Sequence, residues 1–168
     1  MPPRTAIRPL TLFDEKAFVA AAIASRRLHE PWIYAPANAA DFRRNLARFN
    51  GREHFCFLVY LPATHALAGV ITLTHIVRGA LNSGYLGYYA FAGQERQGHM
   101  ARGMRALIRH AFGELKLHRM EANIQPQNSA SIALARACGF KLEGYSPKYL
   151  KVGGRWRDHE RWAIVRGG

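Results

Sequence analysis

Apolar residues recur along this chain with two different periods. From Met100 the positions Met104, Leu107, Ile108, Ala111, Phe112 and Leu115 repeat at helical spacing, and Arg102, Arg105 and Arg109 share another face. The pattern predicts a helix over 99–115 with one buried side and one basic side. Upstream, residues 54–61, 67–77 and 82–91 are rich in Val, Ile, Thr, Tyr and Phe and are bounded by Gly, Pro or Asn. They read as three successive strands with no helix between them, hence an antiparallel meander. A strand over 118–124, a helix over 129–137 and a terminal hairpin turning at Gly153-Gly154 follow. At the other end, residues 5–10 form a short strand that Pro9 assigns to a sheet edge. A helix over 14–28 carries Phe18, Ala21, Ala22 and Leu28 near its apolar stripe, with Pro31 and Pro36 stopping it. A second helix over 41–49 follows Asn38. Strand and helix alternate as β-α-β around the helix over 99–115, so the fold class is α/β (α+β) with a mixed, mostly antiparallel sheet flanked by helices.

Composition adds bounds to this picture. The 168 residues suit a single domain over 1–168, and 49% hydrophobic residues furnish a core. Cys56 and Cys138 are the only cysteines, with no C-x-x-C pair and no Cys/His cluster, so neither a disulfide framework nor a metal site is expected. Residues 1–12 lack a secretory h-region and no apolar run reaches the length of a membrane span, which points to the cytoplasm. The formal charge of +13 favours polyanionic partners such as RNA, the ribosome, an anionic membrane or a phosphorylated cofactor. The 24 basic residues are dispersed from Arg4 to Arg166, without a zinc-finger or RNP signature.

The chemistry concentrates where the strand over 82–91 gives way to the helix, at Gln94 to Gly103. A helix beginning near Gly98 presents unpaired N–H groups and its positive dipole end to an anion. Neither G-x-x-x-x-G-K-[ST] nor G-x-G-x-x-G is present. The backbones of Gln97, Gly98, His99, Met100 and Ala101 are therefore the candidate phosphate donors, with His99 read as a loop residue.

This junction resembles motif A of the GNAT superfamily of N-acetyltransferases, whose Q/R-x-x-G-x-G/A loop wraps the pyrophosphate of acetyl-CoA. Three further segments sharpen the likeness: Leu117-His118-Arg119-Met120-Glu121-Ala122-Asn123, Pro126-Gln127-Asn128-Ser129-Ala130-Ser131, and Ala137-Cys138-Gly139-Phe140-Lys141-Leu142-Glu143-Gly144-Tyr145. Together with Pro31-Trp32, Tyr149-Leu150 and Trp156-Arg157-Asp158-His159, they are similar to the branch that acetylates the N-terminal alanine of a ribosomal protein. The resemblance implies a GNAT fold with a β-α-β core binding acetyl-CoA. It implies an acceptor that is a protein N-terminus or a small amine, and a monomer or homodimer without a membrane partner. Cofactor contacts carried over by it are Tyr89, Ala90, Phe91, Arg96, Asn128 and Ser131, beside residues 97–101. Trp32, Tyr145, Tyr149 and Trp156 become the acceptor groove. Two positions depart from the pattern: Arg96 stands where the first motif glycine belongs, with Gly93 in place of the motif's Gln or Arg, and Ala135 replaces the tyrosine general acid of many relatives. Acetylation of a small aminoacyl compound or peptide antibiotic, and a catalytically weak module binding acyl-CoA or RNA, are the competing readings.

Acetyl transfer sets its own requirements. An α-amine titrates at about 7.7–8.0 and lysine at about 10.4, so a protein N-terminus demands only a modest base. An oxyanion needs an N–H donor, which the backbone from Tyr89 to Phe91 offers, and the departing thiolate needs a proton. By family analogy Ser131 supplies that proton, while Asn128 doubles as a helix N-cap. Asn123 occupies a strand position where some relatives carry a Glu base and holds a water instead. The base itself stays open among that water, Glu95, Glu121, Glu143, Asp158, His159 and Glu160. Without a dedicated base the neutral amine fraction controls the rate, which then climbs through a pH of about 8.

Overall fold

The computed structural model describes residues 4–167. Seven strands form one sheet: β1 (Ala6–Pro9), β2 (Phe55–Tyr60), β3 (Leu67–Val77), β4 (Ser83–Ala90), β5 (Arg119–Ile124), β6 (Lys141–Val152) and β7 (Arg155–Val165). Their spatial order is β1-β2-β3-β4-β5-β7-β6. Every neighbouring pair is antiparallel except β4 and β5, which the long helix between them makes parallel. Edge strand β1 ends at Pro9, where a missing N–H costs no ladder bond.

Alternation along the strands sorts side chains to two faces. Phe57 and Val59 join a rear core with Ile71, Leu73, Met120 and Ala122, whereas Cys56 and Leu58 join a front core with Val70 and Phe91. The rear is covered by α4 (His99–Gly113) and α5 (Ser129–Ala137). In α4, Met104, Leu107 and Ala111 are fully buried, as the spacing requires. Gly103 lets that helix lie against β2, because a Cβ there would stand 2.7 Å from a Val59 methyl. The front is covered by α1 (Glu15–Ala24) and α3 (Ala39–Leu46), which bury Phe18 and Phe42. No helix among the described residues is long and apolar enough to cross a membrane.

Two helix boundaries differ from the sequence reading. The helix expected over 14–28 breaks at Ser25, whose hydroxyl donates to the Ala21 carbonyl at 2.6 Å and accepts the Ala92 N–H at 2.8 Å. A short α2 (Arg26–His29) then restarts at a new rotation. Leu28, assigned to the buried stripe, is consequently 38% exposed. The next helix starts at Ala39 and not 41, because Asn38 caps it by accepting the Asp41 N–H at 2.8 Å.

One feature of the sheet positions the site. β4 pairs with β5 only from Ser83–Arg119 to Leu86–Ala122, although β4 continues along β3 to Ala90 and β5 continues along β7 to Ile124. Beyond Leu86 the two parallel strands part, and the sheet opens at its centre.

Candidate active site

The opening between β4 and β5 is a cleft of about 100 Å³ whose lining includes Trp32, Gly87, Tyr88, Asn123, Gln125, Asn128, Ser131 and His159. It joins the two faces of the sheet. Tyr88 and Ser131 approach from the rear, beside α5. Asn123 approaches from the front, since its neighbours Ala122 and Ile124 both belong to the rear core.

The ladder decides which backbone groups face this opening. The Phe91 N–H donates to the Ala68 carbonyl at 2.9 Å, and by antiparallel alternation the Tyr89 N–H also points to β3. The Ala90 carbonyl points the opposite way, where it accepts His29 Nε2–H at 2.7 Å. The oxyanion donors expected over Tyr89 to Phe91 are therefore corrected: Tyr88 and Ala90 turn their amides to the seam, while Tyr89 and Phe91 do not. Both remaining side chains are packed in the front layer, Phe91 at 1% exposure and the Tyr89 ring edge-on to His29 at 4.9 Å. Burial lowers the His29 pKa, against the pull of the Ala90 carbonyl, so a neutral ring pins the chain leading to Trp32 onto β4.

At the rear, Asn128 caps α5 by accepting the Ser131 N–H at 3.2 Å. This fixes the serine hydroxyl, which donates to the Tyr88 hydroxyl at 3.0 Å, and Tyr88 in turn donates to the Ser131 carbonyl at 3.0 Å. Burial pushes the Tyr88 pKa up to about 12, so the phenol keeps its proton at neutral pH. Ala135 is fully buried, and a phenol in the cleft comes from β4 instead of from α5. Sequence reading passed over Tyr88 because a tyrosine in a β-rich run reads equally well as sheet packing.

At the front, Asn123 Oδ1 is buried and has no hydrogen-bond partner. His159 is 3% exposed, and its Nδ1–H donates to the Arg157 carbonyl at 2.9 Å. Its pKa is lowered by burial, with the Arg157 carbonyl and Asp158 pulling the other way. Most of the carboxylates considered as bases are engaged elsewhere. Glu121 accepts from Arg119 at 2.8 Å and Glu143 at 3.0 Å; Asp158 accepts the Lys148 N–H at 2.8 Å and the Tyr145 hydroxyl; Glu160 accepts the Trp162 indole N–H at 2.9 Å. Tyr149 stands at the margin, its ring 6.3 Å from that of His159. Tyr145 and Trp156 lie outside the cleft at 53% and 61% exposure. Register shifts in β6 on both sides of Tyr145 to Ser146 carry that side chain away, which strand alternation alone does not reveal.

The helix N-terminus forms a separate lobe of the site. Gly98 is the N-cap of α4 in a left-handed conformation, φ 76°, and no side chain caps the helix. Gly93 and Arg96 are also left-handed, at φ 84° and 59°. Arg96 thus holds the backbone shape that glycine supplies without strain. The first turn contains no acidic residue, and the Arg102 guanidinium lies close enough that a Cβ on Gly98 would be 3.0 Å from it. A dipole end that ordinarily attracts carboxylates is left free and faced by a cation, an arrangement suited to a phosphate. His99 is not in a loop: it opens the helix, and its fully buried ring accepts from Thr5 and Arg102 at Nδ1, both at 2.9 Å. Only its backbone, with those of Gly98, Met100 and Ala101, faces outward as a donor.

This geometry has known counterparts. A family model described as "Acetyltransferase (GNAT) domain" matches residues 4–141. A relative named "Probable N-acetyltransferase YjcK", from Bacillus subtilis (strain 168), is 30% identical over 169 residues, covering 95% of this chain and 92% of that protein. The "[Ribosomal protein uS5]-alanine N-acetyltransferase" of Escherichia coli (strain K12) is 35% identical over 111 residues, 66% of this chain and 57% of that protein. The solved structure of Mycobacterium smegmatis RimJ in complex with CoA-disulfide superposes with a TM-score of 0.88 at 25% identity, covering 96% of this chain and 82% of that one. With the parted parallel strands and the uncapped helix N-terminus, these matches identify the chain as a member of the GNAT acetyltransferase family, an acetyl-CoA-dependent N-acetyltransferase.

Proposed function

We propose that the acceptor is the N-terminal α-amine of a protein, a ribosomal protein being the first candidate. The observation that carries this reading is the two-sided cleft whose lining, among the described residues, contains no aspartate or glutamate. A polyamine or a lysine ammonium calls for carboxylates to bind and deprotonate it, whereas an α-amine, neutral in roughly a tenth of its molecules at pH 7, does not. The relative that acts on the alanine of uS5 supports the same class. In this scheme the backbones of Gln97 to Ala101, with Arg96, hold the diphosphate, and the amides of Tyr88 and Ala90 receive the thioester oxygen. Asn128 positions Ser131 for the departing thiolate. Asn123 Oδ1 accepts from the amine, and Trp32 and Tyr149 border its entry. A peptide beginning with free alanine should be acetylated, and the same peptide blocked at its N-terminus with an internal lysine should not. Equal rates on both overturn the acceptor assignment, and acetyl-CoA binding without turnover on either favours the binding-module reading.

Arg96 supplies a second test. Acetyl-CoA at about 100 times its Kd should raise stability by about 2.7 kcal/mol in a thermal shift. Arg96→Ala should weaken that binding by about 1.5–3 kcal/mol, the scale of hydrogen bonds to charged groups. Arg96→Gly should lose the same contact yet melt higher without ligand, because a left-handed side chain costs about 1–2 kcal/mol, only partly offset by the greater unfolded-state freedom of glycine. Tighter acetyl-CoA binding by Arg96→Gly would show that the side chain obstructs the diphosphate.

A further inference from the structure

We propose that His159 is the general base, its Nε2 taking a proton from the acceptor ammonium in the cleft; this rests on the acetyltransferase reading of the same site. Three independent features of the fold place it there. First, His159 projects from β7 into the cleft that holds Asn123 and Ser131, and is nearly inaccessible from outside. Second, its tautomer is set: the Arg157 carbonyl can only accept, so the Nδ1 that meets it at 2.9 Å carries the hydrogen and Nε2 keeps its lone pair. Third, His159 makes its one side-chain hydrogen bond at Nδ1, so no donor among the described residues occupies the Nε2 lone pair, and the neighbouring carboxylates are engaged elsewhere. Asp158 is held by Tyr145 and Lys148, Glu160 by Trp162, and Glu121 by Arg119. Tyr149 of β6 has its ring 6.3 Å from that of His159, and the same cleft holds Asn123 of β5, whose Oδ1 lacks a donor. Arg157 and Arg161 lie two residues away along β7, one on each side.

The proton balance is complete with these groups. Neutral His159 removes one proton from the ammonium, leaving a free amine whose nitrogen attacks the thioester carbonyl carbon. The C–N bond forms and the C–S bond breaks, the electron pair leaving on sulfur. The second proton, on the new amide nitrogen, is lost as the thiolate is protonated through the Ser131 hydroxyl, and His159 returns its proton to water. The products are the acetamide, the free thiol and one released proton. Asn123 Oδ1 accepts from the amine and aligns it for both transfers.

Burial holds the ring neutral down to a pH below the usual 6.5 of histidine, so the base is ready while the α-amine is still protonated. The sign follows: activity rises as pH increases through the His159 pKa, because only the neutral ring accepts a proton. The test is the single-turnover rate of the full chain, saturated with acetyl-CoA and with an alanine-initiated peptide, measured from pH 5 to 9. The expected wild-type profile rises once, with an apparent pKa below about 6.5, and is level from neutrality upward. His159→Gln should lower the rate at pH 7 by about 100-fold or more, at the low end of general base catalysis, and shift its rise to the α-amine near 8. An unchanged acetyl-CoA thermal shift in His159→Gln would show that the fold and donor site persist. A wild-type rise centred near 8, or a His159→Gln profile matching the wild type, overturns the proposal, and the wild-type arm decides it even where the variant does not fold. Failure of the wild type to acetylate any amine is a different outcome: it removes the acceptor reading itself.

Discussion

Ser131→Ala is expected to lower kcat about 100-fold, roughly 2.7 kcal/mol in the barrier, with little change in KM. The split follows from when the hydroxyl acts. In the ground state the thioester sulfur carries no charge and gains little from a donor. As the C–S bond breaks, negative charge grows on sulfur and a positioned O–H becomes valuable, so its loss falls on kcat. Ser131 is positioned twice, by Asn128 through its backbone N–H and by the Tyr88 phenol at 3.0 Å. Burial pushes the phenol up to about 12, so it keeps its proton through the working pH range. Tyr88→Phe, which keeps the ring in its rear-core position, should cost less than Ser131→Ala. The double variant should be little worse than Ser131→Ala alone, because the two hydroxyls act as one unit. Steady-state kinetics on an alanine-initiated peptide measure all three, and an unchanged kcat in Ser131→Ala would reduce the serine to a residue of the first helical turn.

What the sequence disclosed follows from how local each signal is. Helix α4 was legible because its periodicity, Gly98 and the preceding strand are contiguous, and the helix begins at His99 as expected. The N-cap at Asn128 and the turn at Gly153-Gly154 are likewise local chemistry and appear where they were read. The cleft is different, because it is made by strands that stop pairing after Leu86 and Ala122, and no residue there announces the parting. For the same reason the pairing of Tyr88 with Ser131 and the hold of His29 on β4 are not legible in the sequence, which names His159 only as one of several possible bases: 43 residues separate Tyr88 from Ser131, and 61 separate His29 from the Ala90 carbonyl it holds. Tyr145 and Trp156 show the converse error. Their aromatic character suggested a groove, but the register shifts of β6 and their exposure place them outside the cleft. Even the break at Ser25 is a tertiary effect, since its hydroxyl meets the Ala92 N–H at the end of β4, which lies 67 residues away.

Phe18→Ala is expected to destabilise the fold by about 3–5 kcal/mol, the range for emptying a large buried aromatic site. Phe18 is fully buried in the front core, with its ring 5.1 Å from that of Phe42 and edge-on to Phe91 at 5.6 Å. It thus joins α1 to α3 and both to the chain just past β4. The loss contains the transfer of the ring, the aromatic contacts and a cavity that two rigid rings are poorly shaped to fill. For a domain of this length the melting temperature should fall by about 10 °C, measured without ligand by calorimetry. Phe18→Leu, which retains most of the volume, should cost markedly less. Phe13→Ala, at a side chain fully exposed five residues earlier, should stay within about 0.5 kcal/mol of the wild type. The functional consequence is directional: Phe91 follows directly on Ala90, whose carbonyl His29 holds at the seam, so loosening the front core should weaken acetyl-CoA binding as well as stability. The helix N-terminus at Gly98 is seated on the rear core, by Met104 and Leu107, and should keep its diphosphate contacts. Binding of acetyl-CoA should therefore fall proportionally more than binding of a fragment that keeps the diphosphate, such as adenosine 5′-diphosphate. An equal loss for both would place the damage in the whole sheet and not at the end of β4.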